Sequence, residues 1–153
     1  MTQRLDYSSI APDGMKSFGD VHNYVAHSSL RYGLVHLVYL RVSQINGCAY
    51  CVDMHHHELL KAGFSNEKLI LLPHWHEAKE MFTEQEQAAL MWCETVTKVS
   101  ETHIPDSEYE AAKKHFSEKE LVDLTLAVAL INAYNRIAIS FRAIPESMKQ
   151  SKK

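Results

Sequence analysis

The sequence predicts an all-α protein, and three observations carry that expectation. Apolar residues recur at helical spacing along most of the chain, no alternating strand pattern of any length occurs, and three S/T-x-x-E capping boxes punctuate its second half. With 153 residues the chain has the size of one domain, able to bury roughly 70% of the surface its unfolded form exposes. We read residues 1–153 as a single domain with its core between about 5 and 145 and a flexible Ser/Lys-rich tail from 147 to 153.

Taken in order, residues 1–12 read as an extended or irregular arm. A first helix is expected from about Asp13 to His27, on the stripe Met15, Phe18, Val21 and Val25. Ser28 or Ser29 is placed to cap a second helix. Its Leu30, Leu34, Leu37, Val38 and the run from Leu40 to Ile45 are apolar on more than one side, which predicts deep burial. Asn46-Gly47 breaks the chain, and Asn46 is a suitable N-cap for a third helix that ends at Ala62-Gly63, with glycine at C′.

A short helical piece at 65–72 is stopped by Pro73, and His74-Trp75-His76-Glu77 forms a connector. The box Thr83-Glu84-Gln85-Glu86 opens an amphipathic helix bearing Ala88, Ala89, Met91, Trp92, Val96 and Val99. Pro105 separates it from a second box, Ser107-x-x-Glu110, and a third, Ser117-x-x-Glu120, opens a helix over about 118–142. This last helix is apolar nearly all round, so it should be central or covered by another subunit. Asp123, Asn132, Asn135 and Arg136 interrupt it, which argues against a membrane span.

Composition narrows the function. An apolar fraction of 46% with 23% charged residues suits a soluble globular protein, and a net charge of −3 offers no footprint for nucleic acid or an anionic membrane. Three cysteines are too few for a secreted disulfide scaffold and no signal-peptide pattern opens the chain, so a reducing, cytoplasmic setting is expected. In that setting a C-x-x-C serves redox catalysis or metal binding more readily than structural stapling.

Two of the three cysteines form such a pair, in Cys48-Ala49-Tyr50-Cys51-Val52-Asp53-Met54-His55-His56-His57. At about 100° per residue, Cys48, Cys51 and His55 share one helical face within an arc of about 60°, whereas His57 points away. A thiol near a helix N-terminus and beside an imidazole is biased toward thiolate, and a second thiol three residues away can capture a sulfenic acid. A zinc site is the alternative: Cys48, Cys51 and His55 supply three ligands and His74, His76 or Cys93 a fourth, although no second C-x-x-C or H-x-x-x-H exists. Cys93 otherwise reads as a core thiol and His74 and His76 as structural histidines. Asn135 and Arg136 are either satisfied internally or line a cavity. His36, 12 residues before Cys48, reads by itself as an ordinary helix histidine.

The run from Leu40 to His55, LRVSQINGCAYCVDMH, resembles the signature of the alkylhydroperoxidase D-like (AhpD-like) proteins of the carboxymuconolactone decarboxylase superfamily. Trp75, Phe82-Thr83-Glu84-x-Glu86 and Asn132-Ala133-x-Asn135-Arg136 are similar to that group too, and the likeness spans about residues 5–145. The resemblance implies an all-helical fold that forms homo-oligomers, commonly trimers or hexamers. It also implies a thiol-dependent peroxidase or disulfide-reductase activity on a small hydroperoxide, with Cys51 attacking, Cys48 resolving and His55 assisting proton transfer. Reduction of the disulfide would fall to an external thiol or a lipoyl-bearing or thioredoxin-like partner, because no flavin or nicotinamide motif is present. Two positions depart from the pattern. His36 stands where the family generally has a proton-relay glutamate, and Tyr50 stands where some peroxidases have a histidine. His36 can still pass protons, so it joins Cys48, Cys51 and His55 as a candidate catalytic residue. The competing functions are a general disulfide oxidoreductase, a redox sensor or zinc-stabilised oligomer, and a lactone decarboxylase, whose chemistry needs no C-x-x-C.

Overall fold

The computed structural model describes residues 2–150, with side chains through Lys149, and their regular structure is helical throughout. The helices are α1 (Tyr7–Ile10), α2 (Pro12–Ala26), α3 (Tyr32–Asn46), α4 (Ala49–Lys61), α5 (Asn66–Leu71), α6 (Glu84–Thr97), α7 (Val99–Thr102), α8 (Asp106–Lys113), α9 (Glu118–Phe141) and α10 (Glu146–Gln150). Two 3-10 turns, Leu72–His74 and Lys79–Met81, bridge α5 and α6.

The all-round apolar sequence of α3 is explained by its place between two cores. Val38 and Val42 enter one core with Val25 of α2, Trp92 of α6 and Leu124, Val128 and Ile131 of α9. Leu37 and Leu40 enter the other, with Leu59 of α4, Leu69, Leu72, Trp75, Phe82 and Leu90. Helix α3 thus packs on α4, α6 and α9 at once, and α2 covers α9. Fully burying a residue such as Leu37 or Val38 contributes about 1.5–3 kcal/mol, which is why this helix forms despite its four β-branched residues and two tyrosines and lacks a polar face.

Two of the three expected boxes form. The Thr83 and Ser117 hydroxyls accept from the backbone N–H groups of Glu86 and Glu120, whose carboxylates reach back to the cap nitrogens. Glu86 is also held by Lys68 at 2.8 Å, so the α6 cap doubles as an ion pair with α5. The Ser107 box does not form: Pro105 takes the N-cap position of α8 and no side chain caps it. Ser28 and Ser29 do not cap α3 either. The helix starts after Arg31, and the Ser28 hydroxyl instead closes a turn by donating to the Val25 carbonyl at 2.7 Å. The arm expected over 1–12 carries the short helix α1, capped by Asp6.

The tail expected to be frayed from Ser147 is helical to Gln150, and Ser147 donates its N–H to Asp53 on α4 at 3.1 Å; residues 151–153 lie outside the described residues. In the second turn of α9, Asp123 has no exposed surface, and its carboxylate accepts from Tyr24 at 2.8 Å and from Lys119 at 2.7 Å. Those bonds offset the desolvation that a buried carboxylate would otherwise suffer.

Candidate active site

The site is built where α3 ends and α4 begins. Gly47 adopts the left-handed conformation, φ 70°, and the amides of Gly47 and Cys48 close the last turn of α3 on the carbonyls of Gln44 (3.3 Å) and Ser43 (2.9 Å). Cys48 is then itself the N-cap of α4: its Sγ accepts from the Cys51 N–H at 3.4 Å. This corrects the cap expected from the sequence. Asn46 belongs to the last turn of α3, and its side-chain amide donates to Asn132 at 3.0 Å and Asn135 at 2.9 Å on α9. Asn135 in turn donates to Ser43 at 3.0 Å, and Arg136 donates to the Asn132 carbonyl at 2.8 Å. For Asn135, which is fully buried, the question left open is thereby answered as internal satisfaction, and the network fixes the junction to α9; Arg136 is exposed and bonds within α9.

The two sulfurs are paired as a disulfide, with Cα atoms 5.4 Å apart. Cys48 and Cys51 are both buried, yet their surroundings differ. Cys51 lines a cavity of about 300 Å³ together with His55, and Cys48 does not. The walls are aromatic and apolar: Tyr7, Tyr39, Tyr50, Tyr134, Met15 and Ile131 among them.

His55 and His36 meet through their Nδ1 atoms at 3.3 Å, linking α4 to α3. One of the two nitrogens must carry the proton and the other accept it. Burial lowers the His36 pKa to about 4, against the opposing pull of the Glu58 carboxylate. Burial, with His36 and His22 adding to it, lowers that of His55 to about 3. Both rings are therefore neutral at pH 7. A proton that enters at His55 Nε2 can leave from Nδ1 to His36, so the pair conducts a proton without holding a charge. A smaller cavity of about 40 Å³, lined by His22, Tyr32, His36 and Tyr39, lies on the far side and has room for a water. Tyr32, whose ring stacks on His36 at 4.2 Å, donates to Glu58 at 2.7 Å.

The remaining candidates stand apart. Cys93 is fully buried on α6, its thiol pushed well up by burial, and it donates to the Leu90 carbonyl at 3.1 Å. His76 and Trp75 both bond Glu94, which also pairs with Arg41 at 2.6 Å, so this connector is a structural node. Among the described residues no group of three or more His, Cys, Asp and Glu side chains is arranged to hold a metal ion. Tyr39 went unnoticed in the sequence. It lies three residues after His36 on α3, and that spacing is the signal that places both on one face.

An all-helical domain with a C-x-x-C at a helix start and an imidazole pair beneath it defines a class of dithiol proteins. Comparison with known proteins gives the family. Residues 12–95 match the carboxymuconolactone decarboxylase family, and the chain belongs to it, as an AhpD-like member. It is 38% identical over 140 residues to the uncharacterised protein YdfG of Bacillus subtilis (strain 168), covering 92% of this chain and 95% of that one. A crystal structure from Agrobacterium tumefaciens, of a protein of unknown function described as a candidate antioxidant defence protein AhpD, superposes with a TM-score of 0.91. Its identity is 42%, covering 94% of this chain and 98% of that one. The fold is shared as well with the alkylhydroperoxidase AhpD core of an uncharacterised peroxidase-related protein from Ralstonia eutropha JMP134. There the TM-score is 0.80 at 21% identity, over 91% of this chain and 74% of that one.

Proposed function

We propose that this protein is a thiol-dependent hydroperoxide reductase. The observation that carries the reading is the asymmetry of the dithiol: Cys51 shares a cavity with His55, while Cys48 sits outside it. In the reduced protein His55 Nε2 takes the Cys51 proton, and the thiolate attacks the terminal oxygen of ROOH. The O–O bond breaks, Cys51 becomes a sulfenic acid, and the departing alkoxide recovers the proton as ROH. Cys48 then attacks the sulfenic sulfur, releasing water and forming the disulfide. An external dithiol must supply the two electrons that restore the thiols.

The test is thiol counting and intact mass on the reduced protein before and after one equivalent of cumene hydroperoxide. Loss of both thiols and of about 2 Da, mapped to Cys48–Cys51, is expected, since two hydrogens leave. Cys51→Ser should abolish peroxide consumption, and Cys48→Ser should leave a sulfenic acid on Cys51 that dimedone traps. Full turnover by Cys51→Ser would reverse the assignment, and no oxidation of the wild type would end it.

We also propose that copies of the chain associate through α9. Val122 and Leu126 lie on its outer side beside an apolar groove lined by Trp92, Tyr109 and Leu121. Contiguous exposed apolar surface of this kind marks interaction sites.

A further inference from the structure

Two of the residues lining the cavity beside Cys51 each carry a buried polar atom with no hydrogen-bond partner in the protein, His55 Nε2 and the Tyr39 hydroxyl, and Tyr39 also borders the smaller cavity. The first has a use in the chemistry above. The second has none, although Tyr39 is only 2% exposed and its ring stands 5.0 Å from that of His55. A buried hydroxyl left unpaired costs about 1–3 kcal/mol, so compensation would have to come from a ligand or a water. Folding alone would favour phenylalanine here, because the ring packs on His55 and His36 and the oxygen bonds nothing.

Resting on the peroxidase reading, the structure assigns Tyr39 as a catalytic residue whose hydroxyl donates a hydrogen bond to the peroxide oxygen that leaves as alkoxide. As the Cys51 thiolate bonds to the terminal oxygen, negative charge grows on the other oxygen, and a fixed donor in a water-poor cavity stabilises it. Tyr39 keeps its own proton throughout. The proton that completes ROH is the one His55 took from Cys51, so the step balances without a further acid. Burial raises the Tyr39 pKa, which keeps the hydroxyl protonated and donating across the working range. The division of labour follows from position: His55 serves the sulfur, four residues away on its own helix, and Tyr39 serves the oxygen from α3.

The experiment is Tyr39→Phe, which removes one oxygen atom. Two rates are measured on the reduced protein: disulfide formation with cumene hydroperoxide, by quenched mass spectrometry, and alkylation of Cys51 by iodoacetamide in the Cys48→Ser background. The expected result is a loss of about tenfold or more in the peroxide rate, an unchanged alkylation rate and an unchanged or higher Tm, because the donor acts only on the breaking O–O bond. Equal peroxide rates for Tyr39→Phe and wild type would overturn the assignment and leave the peroxidase reading intact. A parallel loss in both rates would also overturn it, since Tyr39 would then act on the thiolate. A fall in Tm would mark the hydroxyl as a structural partner and overturn it too. Absence of peroxide oxidation in the wild type itself would instead remove the peroxidase reading, and this inference with it.

Discussion

The imidazole pair sets the pH behaviour of single residues here. Both His36 and His55 have pKa values lowered by folding, to about 4 and about 3, from an ordinary 6.5. Below pH 6.5 the unfolded chain binds protons at these positions while the native protein does not, so stability falls as pH drops toward 4 and is flat above about 7. The size is on the order of a few kcal/mol, given about 1.4 kcal/mol per unit. Urea unfolding at pH 7, 6, 5 and 4 checks this, and His36→Gln should flatten part of the slope; an unfolding free energy independent of pH over that range would contradict it. Residue by residue, the sequence made Cys48, Cys51 and His55 legible through spacing and resemblance, because their relation is local. For Tyr39 the spacing from His36 signals only a shared face, because lacking a partner is a property of the packed interior that a pattern of residue types does not carry.

At the scale of elements, the α3–α4 junction is what turns two helices into a site. Gly47 takes φ 70° with nothing within 4 Å of where a Cβ would sit. Gly47→Ala should therefore cost conformational strain alone, about 1 kcal/mol, with the same dependence on urea concentration. A cost near zero would mean that the turn tolerates another geometry, and a loss of thiol pairing would mean that it sets the register of Cys48. The same junction shows where sequence reasoning stopped. Asn46 has the chemistry of a cap, but it lies in the last turn of α3, where its side-chain N–H groups donate to two asparagines on α9, 86 and 89 residues later, and the cap of α4 falls to Cys48. The Thr83 and Ser117 boxes were legible since both partners lie within one turn. The Ser107 box failed because a proline two residues earlier already sets the helix start.

For the molecule as a whole, α9 is central, the first of the two alternatives read from its sequence. Its inner side carries Leu124, Val128 and Ile131 into the core, and its outer side leaves Val122 58% and Leu126 38% exposed. If that outer side joins copies of the chain, Val122→Glu with Leu126→Glu should lower the mass measured by light scattering to that of one chain, 17.5 kDa, with helicity retained. An unchanged mass would locate self-association elsewhere. The seclusion of Cys48 has a consequence at this scale as well. If the dithiol turns over as proposed, a reductant would have to approach by the cavity that admits the oxidant, attack Cys51, and expel Cys48 as a thiolate onto the amide and dipole of α4. Under the proposed peroxidase function, oxidant and reductant would then exclude one another, the two half-reactions would alternate in ping-pong fashion, and a large excess of either reagent would slow the turn of the other.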